Sequence, residues 1–146
     1  MNSADKATHQ LTLRILDWLY IDGHMDNDIR RCRDRDYDDE DPSGSYWDAL
    51  AKLGSTIREA GWQQLPDWPD TYEDLQRWGS ADETRPISLT AGQWTLVVAA
   101  LQHGATVQDA IDEPQEAART RALAAAVRLG LSQQGLNVQP LQGYRN

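Results

Sequence analysis

Residues 90–131 read TAGQWTLVVAALQHGATVQDAIDEPQEAARTRALAAAVRLGL, and this stretch decides the fold class. Thr90, with Gln93 three residues on, has the form of a capping box, in which a hydroxyl and an amide each satisfy a backbone N–H at a helix start. Trp94, Val97, Val98 and Leu101 follow at spacings that share one helical face, ahead of Gly104. Thr106 to Asp109 restart a helical turn. Pro114 suits the first turn of a further helix, where its missing N–H leaves no hydrogen bond unmade. From Pro114 to about Leu131 the chain is rich in Ala (Ala117, Ala118, Ala122, Ala124, Ala125, Ala126), with Leu123, Val127 and Leu131 along one side. Small side chains let helices approach closely, so the spacing predicts an antiparallel helical hairpin over 90–131.

Towards the N-terminus, Ile87, Ser88 and Leu89 are expected to be extended, and the polar residues 80–86 end in Pro86. Thr71 with Asp74 opens a short helix that Gly79 ends, after an irregular connector from Trp62 to Asp70 that holds Pro66 and Pro69. Before it, Ser45 caps a helix with Asp48 in its first turn, Leu50, Leu53, Ile57 and Ala60 form the apolar stripe, and Gly61 stands at the position after the last turn. Leu11, Ile15, Trp18 and Leu19 predict a helix over 5–22, and Met25 and Ile29 anchor a short one across 25–33. No internal repeat is visible. The expectation is a mainly α fold of about five helices in one domain over residues 1–146. Within it, residues 1–86 form an acidic helical subregion, residues 87–134 a neutral hairpin and residues 135–146 a loosely attached tail.

Charge is the feature with functional content. The chain has 14 Lys and Arg against 23 Asp and Glu, a formal charge of −9. Residues 1–42 hold 11 acids and 6 bases, residues 43–89 hold 8 and 4, and residues 90–146 hold 4 and 4. The surplus therefore belongs to the first 89 residues, and it is densest at 34–41. Long-range repulsion argues against direct nucleic-acid binding and against anionic membranes.

Cys32 is the only cysteine, which excludes a disulfide framework within the chain and any multi-cysteine metal site. The longest charge-free run, Ile87 to Gln108, is broken by polar residues and is too polar to span a bilayer; the polar start MNSADKATHQ has no apolar signal segment. A cytoplasmic protein without cofactors is the expectation. No phosphate-cradling glycine motif or fixed nucleophile–base–acid spacing occurs, so the reading is a non-enzymatic protein.

Asp34, Asp36 and Asp38 resemble the start of a calcium loop, but Asp39 and Ser45 occupy the positions that need glycine for the turn and a bidentate glutamate. Asp22, His24, Asp26 and Asp28 alternate without the second histidine or thiolate that would make a zinc site. No metal is expected. In an extended chain Asp34, Asp36 and Asp38 would project to one side about 6.6 Å apart, close to the pitch of phosphates on a nucleic-acid strand. Arg30, Arg31, Arg33 and Arg35 are interleaved with acids and are expected to neutralise their neighbours. Trp62 and Trp68 flank the proline-bearing connector and are candidates for interface anchors.

In charge alone the chain resembles the small acidic inhibitors of phages and mobile elements, anti-CRISPR and anti-restriction proteins among them, that mimic nucleic acid. That resemblance implies a protein partner with a basic nucleic-acid-binding surface. Asp34, Asp36, Asp38, Asp39, Glu40 and Asp41 would meet its Lys and Arg side chains, with Tyr37 adding apolar contact. The alternative expectation is a structural or assembly module that forms a homodimer through the Ala-rich hairpin.

Overall fold

Leu11 and Leu13 are buried while Thr12 and Arg14 are exposed, and this two-residue period makes residues 8–14 a strand. The helix expected over 5–22 therefore begins only at Ile15. Strand runs into helix with no intervening loop, so both periods coincide on Leu11 and Ile15. The computed structural model describes residues 7–38, 46–65, 83–141 and 144, with the side chains of 36–38 excepted. Within these the order is β1 (Thr8–Arg14), α1 (Ile15–Asp38), α2 (Tyr46–Gln63), β2 (Thr84–Thr90), α3 (Ala91–Ala110) and α4 (Pro114–Ser132). The molecule is mainly helical, with one two-stranded sheet. The segments expected over 25–33 and 106–109 belong to the continuous α1 and α3. The short helix expected from Thr71 lies outside the described residues.

The two strands pair antiparallel, with Thr8 opposite Thr90, Leu11 opposite Ile87 and Arg14 opposite Thr84. They also occupy matching positions in a repeat. Adding 76 to the bounds of β1 gives the bounds of β2, and the same offset carries Leu11, Leu13, Ile15, Trp18, Ile21 and Met25 onto Ile87, Leu89, Ala91, Trp94, Val97 and Leu101. Along the second helices, an offset of 70 carries the stripe Trp47, Leu50, Gly54, Ile57, Gly61 onto Ala117, Thr120, Ala124, Val127, Leu131. The described residues thus form two βαα halves, with the Leu11–Ile87 pair at the centre of an approximate two-fold relation. No repeat is visible in the sequence because the offset changes by six residues between the first and second helices, and few aligned positions keep their identity.

Each strand's helices run out from the ribbon and back. α1 packs on α2 and α3 on α4, while α2 reaches the strand of the other half, β2, and α4 reaches β1. A glutamine at the end of each returning helix fixes this crossing. Gln64 donates from Nε2 to the Ser88 carbonyl at 2.9 Å and accepts from the Ser88 N–H at 2.7 Å. Gln134, 70 residues on, donates to the Gln10 carbonyl at 2.7 Å. Ser88 and Gln10 are partners in the ribbon. Each outer edge is therefore engaged by a side chain near its middle, which occupies backbone groups that would otherwise invite pairing with other chains. Trp94 Nε1 donates to the His9 carbonyl at 2.8 Å. The equivalent Trp18 Nε1 is buried with no acceptor among the described residues.

The hairpin expected over 90–131 is present. Thr90 and Gln93 form the reciprocal capping box, and Pro114 opens α4. Gly61, expected after the end of its helix, lies inside α2 and marks a close approach: a Cβ there would meet Trp18 Cζ2 at 1.8 Å. The tail expected to be loosely attached places Leu136, Val138, Leu141 and Tyr144 against the core. Two helical glycines therefore respond to alanine in opposite ways. Gly61→Ala forces the Trp18 ring and is expected to destabilise by roughly 2 kcal/mol or more. Gly23→Ala adds a Cβ with nothing within 4 Å and is expected to stabilise by about 0.5–1 kcal/mol through helix propensity. Urea denaturation of the two variants checks the contrast in sign.

Candidate functional site

α1 is 24 residues long, about 36 Å, and its outer half holds most of the residues that the charge pattern singled out. Much of their charge is satisfied within the fold. Arg58 on α2 donates to Asp22 at 2.9 Å and to Asp26 at 3.0 Å, and Arg30 pairs with Asp26 at 3.2 Å. Asp28 is 4% exposed; it accepts from Arg31 Nη2 at 2.9 Å and from the Tyr144 hydroxyl. The Arg31 guanidinium lies 4.7 Å from the Tyr144 ring and 5.6 Å from the Trp47 ring, and Arg35 lies 4.9 Å from Trp47. Three of the four arginines in the run thus neutralise neighbours or cover aromatic rings, and Arg35 does so from the last turn of the helix.

The extended D-x-D geometry does not exist. Residues 34–38 are the end of α1, so successive backbone positions turn by about 100° and positions 34 and 36 do not form one row at phosphate pitch. Asp34 is exposed. Asp36, Tyr37 and Asp38 have a helical backbone, and Asp39, Glu40 and Asp41 lie outside the described residues. The structure therefore brings Asp34, Asp36, Tyr37 and Asp38 to one helix end rather than to one face. Carboxylates there oppose the partial negative charge of the unpaired carbonyls, at a cost of about 0.3–1 kcal/mol for each exposed group. By sequence, the surplus charge also flanks α2: Asp39, Glu40 and Asp41 precede it, and Asp67, Asp70, Glu73, Asp74 and Asp82, against Arg77, follow it.

Trp62 lies within α2 and is half-buried rather than standing in a connector; Trp68 is outside the described residues. Sequence reading missed the cleft between the outer halves of α1 and α3, which has a volume of about 410 Å³. Its α1 wall includes His24, Asn27 and Arg31, and its α3 wall includes His103, Val107 and Ile111. The one signal for it was the pair of apolar residues Val107 and Ile111, beyond the buried stripe of α3. His24 sits against Gly104, where a Cβ would meet its Nδ1 at 2.3 Å, and burial holds its pKa below the usual imidazole value. Among the described residues no three His, Cys, Asp or Glu side chains gather as a metal site, and no helix is long and apolar enough to cross a membrane. Comparisons with protein-family models, with curated proteins and with solved structures find no match for this chain.

Cys32 is fully buried, with its Sγ 3.8 Å from Asp28 Oδ2. Burial first, and then the Asp28 carboxylate, push its thiol up to about 12. A folded thiol that keeps its proton where the unfolded chain releases it adds stability that is complete below pH 9 and is lost as pH rises towards about 12. Denaturation midpoints of the natural protein are therefore expected to fall more steeply between pH 9 and 11 than those of Cys32→Ala. Equal slopes would show that the thiol makes no such contribution.

Proposed function

We propose that the protein is a non-enzymatic inhibitor that blocks the basic surface of a nucleic-acid-handling partner, using the acidic outer end of α1 and the acids that follow it. The observation that carries this reading is the sorting of charge along α1. Arg30 and Arg31 turn to Asp26, Asp28, Trp47 and Tyr144, whereas Asp34 is exposed near the end of α1, where the helix dipole disfavours a carboxylate. A local arrangement that costs stability, with no compensating contact among the described residues, is the kind retained for recognition. Carboxylates at such an end strengthen the negative potential that attracts Lys and Arg side chains and steers association. Asp34, Asp36, Asp38, Asp39, Glu40 and Asp41 carry the charge in this proposal, and Tyr37 adds apolar contact. A phage or mobile-element origin accords with this role.

The test is capture of a partner from host lysate at low salt, followed by affinity measurements across a salt series. Binding is expected to weaken steeply with salt. Replacing the six acids by Asn and Gln is expected to abolish binding while raising the melting temperature, because the opposed charges are gone. Affinity insensitive to both changes would refute the proposal.

A second reading, self-assembly, is favoured by one observation. Ala118, Ala122 and Ala125 on α4 are exposed in one row with Leu129, which is 62% exposed. Ala125→Glu is expected to abolish a salt-insensitive dimer without unfolding the chain, as sedimentation would show. The fully buried Val127 cannot serve that test, because a charge there would disrupt the core.

A further inference from the structure

The cleft between α1 and α3 is built from equivalent positions of the two halves, and those positions have diverged. The offset of 76 maps His24 to Ala100, Asn27 to His103, Asp28 to Gly104 and Arg31 to Val107, and all eight line the cleft. One wall is thus polar and the other largely apolar. At its rim, Val107 is 43% exposed and Ile111 is 64% exposed, two of the four large hydrophobic side chains exposed among the described residues.

Acids lie close to this apolar pair in sequence. Residues 90–146 are neutral in sum, yet their four acids, Asp109, Asp112, Glu113 and Glu116, all lie within eight residues at the α3–α4 turn. Asp109 pairs with Arg121 and Glu116 accepts from the Tyr20 hydroxyl, while Asp112 and Glu113 are exposed immediately before α4. Across the cleft, the α1 row that contains Asn27 and Arg31 continues one turn later to the exposed Asp34. The exposed Val107 and Ile111 therefore stand next to Asp112 and Glu113 in the chain, and Asp34 extends the facing α1 row.

We infer that this cleft docks a basic amphipathic segment of the partner, with its apolar side chain between Val107 and Ile111 and its Lys or Arg side chains on Asp34, Asp112 and Glu113. This inference rests on the proposed function and deepens it: charge supplies steering, and the apolar anchor supplies the discrimination that charge alone lacks. Exposed apolar side chains rimmed by charge, beside a preformed cleft, are the usual form of a helix-binding groove.

The probe is a synthetic amphipathic Leu/Lys helical peptide, set against a scrambled peptide of the same composition, with affinities measured by fluorescence anisotropy. The amphipathic peptide is expected to bind at least tenfold more tightly than the scrambled one. Ile111→Ser and Val107→Ser are each expected to remove about that factor, with the melting temperature unchanged because both side chains are substantially exposed. Equal binding of the two peptides, no effect of either Ser variant, or no binding of the amphipathic peptide would overturn the inference. If the Ser variants have no effect while neutralising residues 34–41 still abolishes capture of the partner, the docking inference fails and the charge-based function stands.

Discussion

The pairing of β1 with β2 is the constraint on which the rest of the molecule depends. It joins residues 8–14 to residues 84–90, a long-range contact that gives the two helical pairs a shared surface. Each second helix then crosses to the other half's strand, and Gln64 and Gln134 hold it there by hydrogen bonds to the strand backbone. Neither half completes its own sheet edge, so the halves stabilise one another. The cores reflect this, with Trp18 and Trp94, at equivalent positions in the two first helices, both buried.

This arrangement also explains where function can reside. The ribbon closes one end of the helical assembly, and the returning helices engage its edges. Away from it a cleft lies between α1 and α3, and among the described residues no strand or capping glutamine lines it. The halves differ in character at the cleft: an internal carboxylate in one half, Asp28, is the counterpart of a glycine in the other, Gly104. Asp28, Arg31 and Tyr144 then tie the C-terminal segment to α1 by a charge-assisted contact, which also holds Arg31 inside.

How much of this was legible in the sequence depends on how many residues carry each signal. α3 and α4 were readable because a capping box, a first-turn proline and long apolar stripes agree over 90–131. β1 was misread because Leu11, Ile15 and Trp18 fit a helix, while the competing alternation of Leu11, Leu13 and Ile15 spans only three residues before the helix starts. The acidic run was identified as a feature, but its geometry was not, because a run of Asp reads as a loop by composition and yet here ends a helix. The cleft was invisible, because it depends on two helices 76 residues apart in sequence standing side by side.

The central claim is that recognition takes place at the end of the molecule away from the ribbon, at the acidic end of α1 and the α3–α4 turn. The most direct measurement is backbone amide NMR of the isotope-labelled protein titrated with a soluble polylysine at low salt. The account predicts progressive shifts concentrated in residues 27–41 and 103–113, with the ribbon and the outer face of α4 unchanged. Shifts spread evenly over all acidic residues, or concentrated on the row of Ala118, Ala122 and Ala125, would contradict it.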